Sequence, residues 1–116
     1  MQYDNIIRKL LAAVPQIRPN YEEEMEWLGE ELPHVIFGMV VTPYIIKCLE
    51  EHGNSETIFN FLEEMSLSSD EKVQELVVVS VLELLVTERE IIEIAKSLMG
   101  EQTRQHLKTL ERAYGF

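Results

Sequence analysis

The side chains best able to do chemistry in this chain are its three histidines, its one cysteine and its many carboxylates. Their spacing limits what they can do. His34, His52 and His106 lie far apart, and none falls in a His-Glu-x-x-His pattern that would set two imidazoles on one helix face for zinc. Glu30 and His34 are four apart, but Pro33 between them marks a helix boundary, so His34 reads as a capped or surface residue rather than a ligand. His52 precedes Gly53 and reads as a partner for the carbonyls at a helix end. Cys48 lies in an apolar run with no second cysteine to pair with; it reads as a small buried hydrophobe, in keeping with a reducing compartment. No glycine-rich phosphate loop, Gly-x-Ser-x-Gly elbow or Cys-x-x-Cys occurs. An enzyme built on a close pair of carboxylates is the remaining catalytic alternative, although a charge run is ordinarily a solvated face. The expectation is a protein that is not an enzyme and takes no cofactor and no metal.

Charge points instead to a protein partner. Against 10 Lys plus Arg stand 21 Asp plus Glu, a formal net charge of -11. That balance repels phosphate backbones and anionic bilayers, so nucleic acid and membrane are poor partners and a basic protein is a good one. Acidity for solubility alone is the plain alternative. The start, Met-Gln-Tyr-Asp, has no basic segment, apolar signal core or cleavage site, which gives the expectation of a cytoplasmic protein.

Two candidate contact surfaces follow. Glu22, Glu23, Glu24, Glu26, Glu30 and Glu31 surround Trp27; an aromatic anchor within an acidic rim suits a basic partner. The competing reading puts Trp27 in the core with Met25 and Leu28, the commoner place for a lone tryptophan in a small domain. The second surface is a line at gaps of three and four, Lys72, Glu75, Val79, Glu83 and Val86, which a helix would present outward. Arg104, Lys108 and Arg112 form a basic stripe at i, i+4 and i+8, expected to pair with the chain's own glutamates.

The elements that must position these residues are all helical. The chain of 116 residues, 46% hydrophobic and 27% charged, has the make-up of a single globular domain spanning 1–116. Ile6, Ile7, Leu10, Leu11 and Val14 give a first amphipathic helix, ended by Pro15 and Pro19. Asn20 with Glu23 resembles a capping box for a short helix to about Leu32, and Pro33 fits the first turn of the next. The apolar segment Val35 to Leu49 contains Thr42-Pro43, either a kink or a cap and restart, because Pro43 cannot donate to the Met39 carbonyl. Gly53 stops it, and Asn54 or Ser55 caps a helix burying Ile58, Phe61, Leu62 and Met65.

Ser68 with Glu71 opens a helix from about Ser69 to Val86. The run Val77-Val78-Val79-Ser80-Val81 could pass for a strand, but Val73, Leu76, Val77, Ser80, Val81, Leu84 and Leu85 keep the period of one helix face. Val78 and Leu82 flank that face, which makes this the central helix. Thr87 with Glu90 starts a helix stopping at Gly100, and a last helix turns Leu107, Leu110 and Tyr114 inward. The expectation is an all-α fold of about six or seven helices, with a HEAT-like stack of helical hairpins and a compact orthogonal bundle as the two arrangements.

The succession Glu31-Leu32-Pro33-His34-Val35-Ile36-Phe37-Gly38, then Phe61-Leu62-Glu63, then Glu71-x-Val73-Gln74-x-Leu76-Val77-x-Val79-Ser80-Val81-Leu82-Glu83 resembles a bacterial family of small all-helical proteins of unknown function. Some of its members are associated with polymorphic toxin systems. The resemblance covers roughly residues 30 to 110, matches at Leu32, Pro33, His34, Val73, Gln74 and Ser80, and departs at Leu84, where such proteins tend to carry Asn. It implies an immunity-type role, a small acidic protein that binds and neutralises a cognate toxin or nuclease domain, and it supplies no catalytic residue. A helical-repeat scaffold or homodimer, associating through Val79 and Val86, is the alternative.

Overall fold

The computed structural model describes residues 1–116, folded into seven helices with no strand. After a single turn at Tyr3–Asn5 come α1 (Ile6–Ala13), a turn at Pro15–Ile17, and α2 (Arg18–Leu28). The third helix, α3 (residues 33–50), is continuous through Pro33–Ile36, Phe37–Val41 and Thr42–Glu50. Then follow α4 (Glu56–Ser66) and α5 (residues 71–85). The chain ends with α6 (Ile92–Leu98) and α7 (Glu101–Ala113). A cluster of 29 buried apolar residues forms one core. Within it Phe37 and Phe59 are fully enclosed, each such ring stabilising the fold by about 1.5–3 kcal/mol.

The helix expected to be central is central: α5 packs against α3, α4 and α7. Its middle, Leu76–Leu82, is wound as a π-helix, and the Glu83 N–H reaches back five residues to the Val78 carbonyl. Consecutive β-branched side chains crowd an ordinary helical turn, and a wider turn relieves that crowding. A second π-helical stretch, Phe37–Val41, lies in α3 immediately before Thr42-Pro43. There the helix does not restart but runs on through the proline. The turn ahead of it widens, so the Thr42 N–H bonds to Phe37 and the pyrrolidine ring clears the preceding carbonyls.

The two widened stretches face one another. The buried Thr42 hydroxyl lies 3.1 Å from the Phe37 carbonyl oxygen and 2.9 Å from that of Ser80, so a single O–H is shared between the two helices.

Several helix ends differ from expectation. Pro19 does not end α1; it lies in the first turn of α2, which starts two residues before Asn20. At α4 the expectation holds: of Asn54 and Ser55, it is the Asn54 side chain that accepts the Glu56 N–H, at 3.1 Å. At α5 the cap is Asp70, which accepts the Lys72 N–H, while Ser68 accepts the Asp70 N–H and donates to the Met1 carbonyl. Thr87 closes α5 by donating to the Leu84 carbonyl rather than opening α6. His52, not Gly53, takes the left-handed conformation after α3, with φ 55°, and Gly53 donates to the Cys48 carbonyl. Tyr114 is exposed, not inward, and Cys48 is only half-buried.

Candidate functional site

Trp27 lies in the last turn of α2, a helix with no fully buried residue. It is 85% exposed, which rules out the core reading. Gly29, at φ 72°, ends α2 in the left-handed region and donates to the Met25 carbonyl, so the indole stands on a defined helix end. Across from it on α3 stands Met39, itself 61% exposed. Asn20, Glu23, Glu24, Trp27 and Met39 enclose a shallow cleft of about 410 Å3 floored by the buried Val40. Glu22 and Glu26 are exposed on the same helix, and Glu22 is 3.9 Å from Arg18. Glu23 and Glu24 are thus brought together with Trp27 and Met39, while Glu22 and Glu26 lie outside the cleft. Met39 was not anticipated; inside an apolar run its type gives no signal of exposure.

The second surface divides. Lys72, Glu75 and Val79 are exposed along α5, but Glu83 is half-buried and Val86 is fully buried. The cause is the π-helical stretch. More residues per turn carry the inward face on by about one position, so Leu82 and Val86 turn in and Leu84 turns out. An association face through Val79 and Val86 does not exist. What α5 offers is a cleft of about 280 Å3 in which Glu75 and Val79 meet Tyr3, His34, Lys72 and Ser80 over Leu76. The Lys72 ammonium sits 5.6 Å from the centre of the Tyr3 ring.

The basic stripe also departs from expectation. Arg104, Lys108 and Arg112 are exposed and make no ion pair. Glu111 is taken instead by Arg89 and Lys96, each at 3.0 Å. Burial opposes the charge of Glu111, but Lys96 and Arg89 outweigh it and hold its carboxyl below the ordinary glutamate value. Arg89 also stacks 4.0 Å from the centre of the Phe116 ring, fastening the C-terminal residues.

The most elaborate polar cluster is structural. Glu63 on α4 accepts the Gln102 and Thr103 N–H groups and the Thr103 hydroxyl, and Thr103 lies 3.0 Å from the Ser66 hydroxyl. The first turn of α7 is thus capped from another helix, and no local sequence signal announces it. No group of three or more His, Cys, Asp or Glu side chains is arranged to hold a metal ion.

A family model described as a domain of unknown function, DUF7674, matches residues 7–115. The chain belongs to that family. The match takes in both clefts of this DUF7674 protein, apart from Tyr3 in the second. No curated protein and no solved structure matches it. In this DUF7674 chain no helix is long and apolar enough to cross a membrane.

Proposed function

We propose that this protein is a non-catalytic binding module whose α2–α3 face seats on a basic surface of another protein, in the manner of an immunity protein that neutralises a toxin or nuclease domain. The observation that carries the reading is Trp27, 85% exposed on an ordered helix end beside Met39, with Glu23 and Glu24 in the same cleft. A large aromatic kept in water costs solvation and adds nothing to the core, whereas in an interface it is the residue type that most often dominates affinity. The surrounding carboxylates steer and orient a basic partner, and the overall charge of -11 extends that attraction beyond the contact.

The reading expects an adjacent gene to encode a protein with a C-terminal toxic domain, and the test is co-expression with that domain. If that domain arrests growth of a host, this chain should restore it, and W27A together with M39S should abolish the rescue while leaving the circular dichroism and melting of the purified protein unchanged. Failure of the wild-type chain to restore growth or to bind the domain removes the immunity reading. Rescue that survives the double substitution removes the α2–α3 face as the contact.

A further inference from the structure

We infer that the cleft between the N-terminal turn, the first turn of α3 and the outward side of α5 binds a small zwitterion of the aliphatic amino-acid class. This cleft is separate from the Trp27 face and does not depend on it. Tyr3, His34, Lys72, Glu75, Val79 and Ser80 line a volume of about 280 Å3, just below the range of about 300–1,000 Å3 usual for drug-sized ligands and enough for a smaller one. The Tyr3 and Ser80 hydroxyls, the His34 ring, the Lys72 ammonium and the Glu75 carboxylate make no hydrogen bond or ion pair within the chain, although other polar side chains nearby do.

Ser80 is the most telling of them. It is only 8% exposed, and its carbonyl is engaged by Thr42, but its hydroxyl is unpaired. A serine inside a helix commonly returns its hydroxyl to the carbonyl one turn back; here the hydroxyl is left free, on a residue that lines the cleft. A ligand in the cleft would give it a partner.

The charges select the ligand. Lys72 and Glu75 are three residues apart on α5 and both open on the cleft, but they do not pair with each other. A molecule with a carboxylate for Lys72 and the hydroxyls, and an ammonium for Glu75, satisfies both. Being neutral overall, it is not repelled by a chain of net charge -11, as a simple anion would be. Val79, with Leu76 beneath and the Tyr3 ring beside it, gives a short aliphatic group apolar contact.

The experiment is titration of the 15N-labelled full chain with L-leucine, followed by backbone amide shifts. Saturable shifts are expected at Tyr3, His34, Lys72, Glu75 and Ser80. 4-Methylpentanoate and isopentylamine, each carrying one half of the zwitterion, should bind at least about tenfold more weakly, as the loss of one charge-assisted contact implies. K72M and E75Q replace exposed side chains and should fold normally; each should weaken leucine by about tenfold. Absence of saturable shifts overturns the inference. So does equal binding of the carboxylate alone, which would make this an anion site, or leucine binding that neither substitution alters.

Discussion

The Glu63 carboxylate holds Thr103 by two bonds, accepting its backbone N–H at 2.9 Å and its hydroxyl at 2.8 Å. Burial opposes the charge on Glu63, but the bonds from Thr103 and Gln102 outweigh it and hold the carboxyl below its ordinary value. A lowered folded value means that the cap stabilises fully above the unfolded carboxyl value of about 4.3 and that its contribution is lost as pH falls through the folded one. E63A should therefore cost about 1–2 kcal/mol in urea unfolding at pH 7, as a lost helix cap does. The difference from wild type should shrink steadily below about pH 4. A difference that stays constant down to pH 2 would show that the charge is irrelevant to the cap.

Gly100 is tied to the same carboxylate, because a Cβ built there would overlap Glu63. Its backbone, at φ -73° and ψ 173°, is open to any residue, so the requirement is space and not conformation. G100A should destabilise by about 1–3 kcal/mol, typical of forcing an added methyl against fixed neighbours. In the E63A background most of that cost should vanish, since the obstructing group is gone. Additive effects in the double-mutant cycle would separate the two residues.

Thr42 joins the two π-helical stretches through one hydroxyl near two carbonyls. T42V keeps the shape and removes the donor, depriving the Ser80 carbonyl of this bond in a buried place, while the Phe37 carbonyl keeps the backbone N–H of residue 42. A loss of about 1–3 kcal/mol is expected, with faster amide exchange in both stretches. Exchange that quickens in α3 alone would show that the Ser80 bond contributes nothing.

The same stretches mark where the sequence stops being legible. The all-helical fold and the central place of α5 follow from apolar spacing, which survives small errors in helix ends. The outward line ending at Val86 does not, because the period of 3.6 was carried through a segment wound more widely, and nothing in Val77-Val78-Val79-Ser80-Val81 states its winding. Trp27 was ambiguous for a different reason: its type fits core or interface equally, and only the packing of α2 decides. The Glu63 cap was invisible because its partners lie about forty residues away. That glutamates stand beside Trp27 is readable, since Glu23 and Glu24 lie one helical turn before it; that Glu22 and Glu26 fall outside the cleft follows only from the helix geometry.

Because Trp27 is the sole tryptophan, its fluorescence reports the α2–α3 face directly. At 85% exposure it should be quenched readily by acrylamide. With each ion normalised to its quenching of free N-acetyltryptophanamide, the glutamates beside Trp27 should favour caesium over iodide at low salt, and the gap should close as ionic strength approaches about 1 M, where the Debye length is about 3 Å. Weak acrylamide quenching would mean that the indole is covered in solution. Equal normalised quenching by caesium and iodide at low salt would mean that the glutamates exert no field at the anchor.

Reversing Glu22, Glu23, Glu24 and Glu26 to Lys tests whether that field guides a partner. Three of the four are exposed and Glu24 is half-buried. The one ion pair disrupted is the exposed Arg18–Glu22 contact at 3.9 Å, so the fold should lose no more than about 1 kcal/mol. Rim charges act mainly on the rate of encounter, so stopped-flow association with a basic partner should slow by at least about tenfold at low salt and lose most of its salt dependence. W27A should behave oppositely, leaving the association rate within a few-fold and raising the dissociation rate, because an anchor acts after contact is made. An association rate unchanged by the reversal, measured on a partner of known positive charge, would take the α2 glutamates out of the interface.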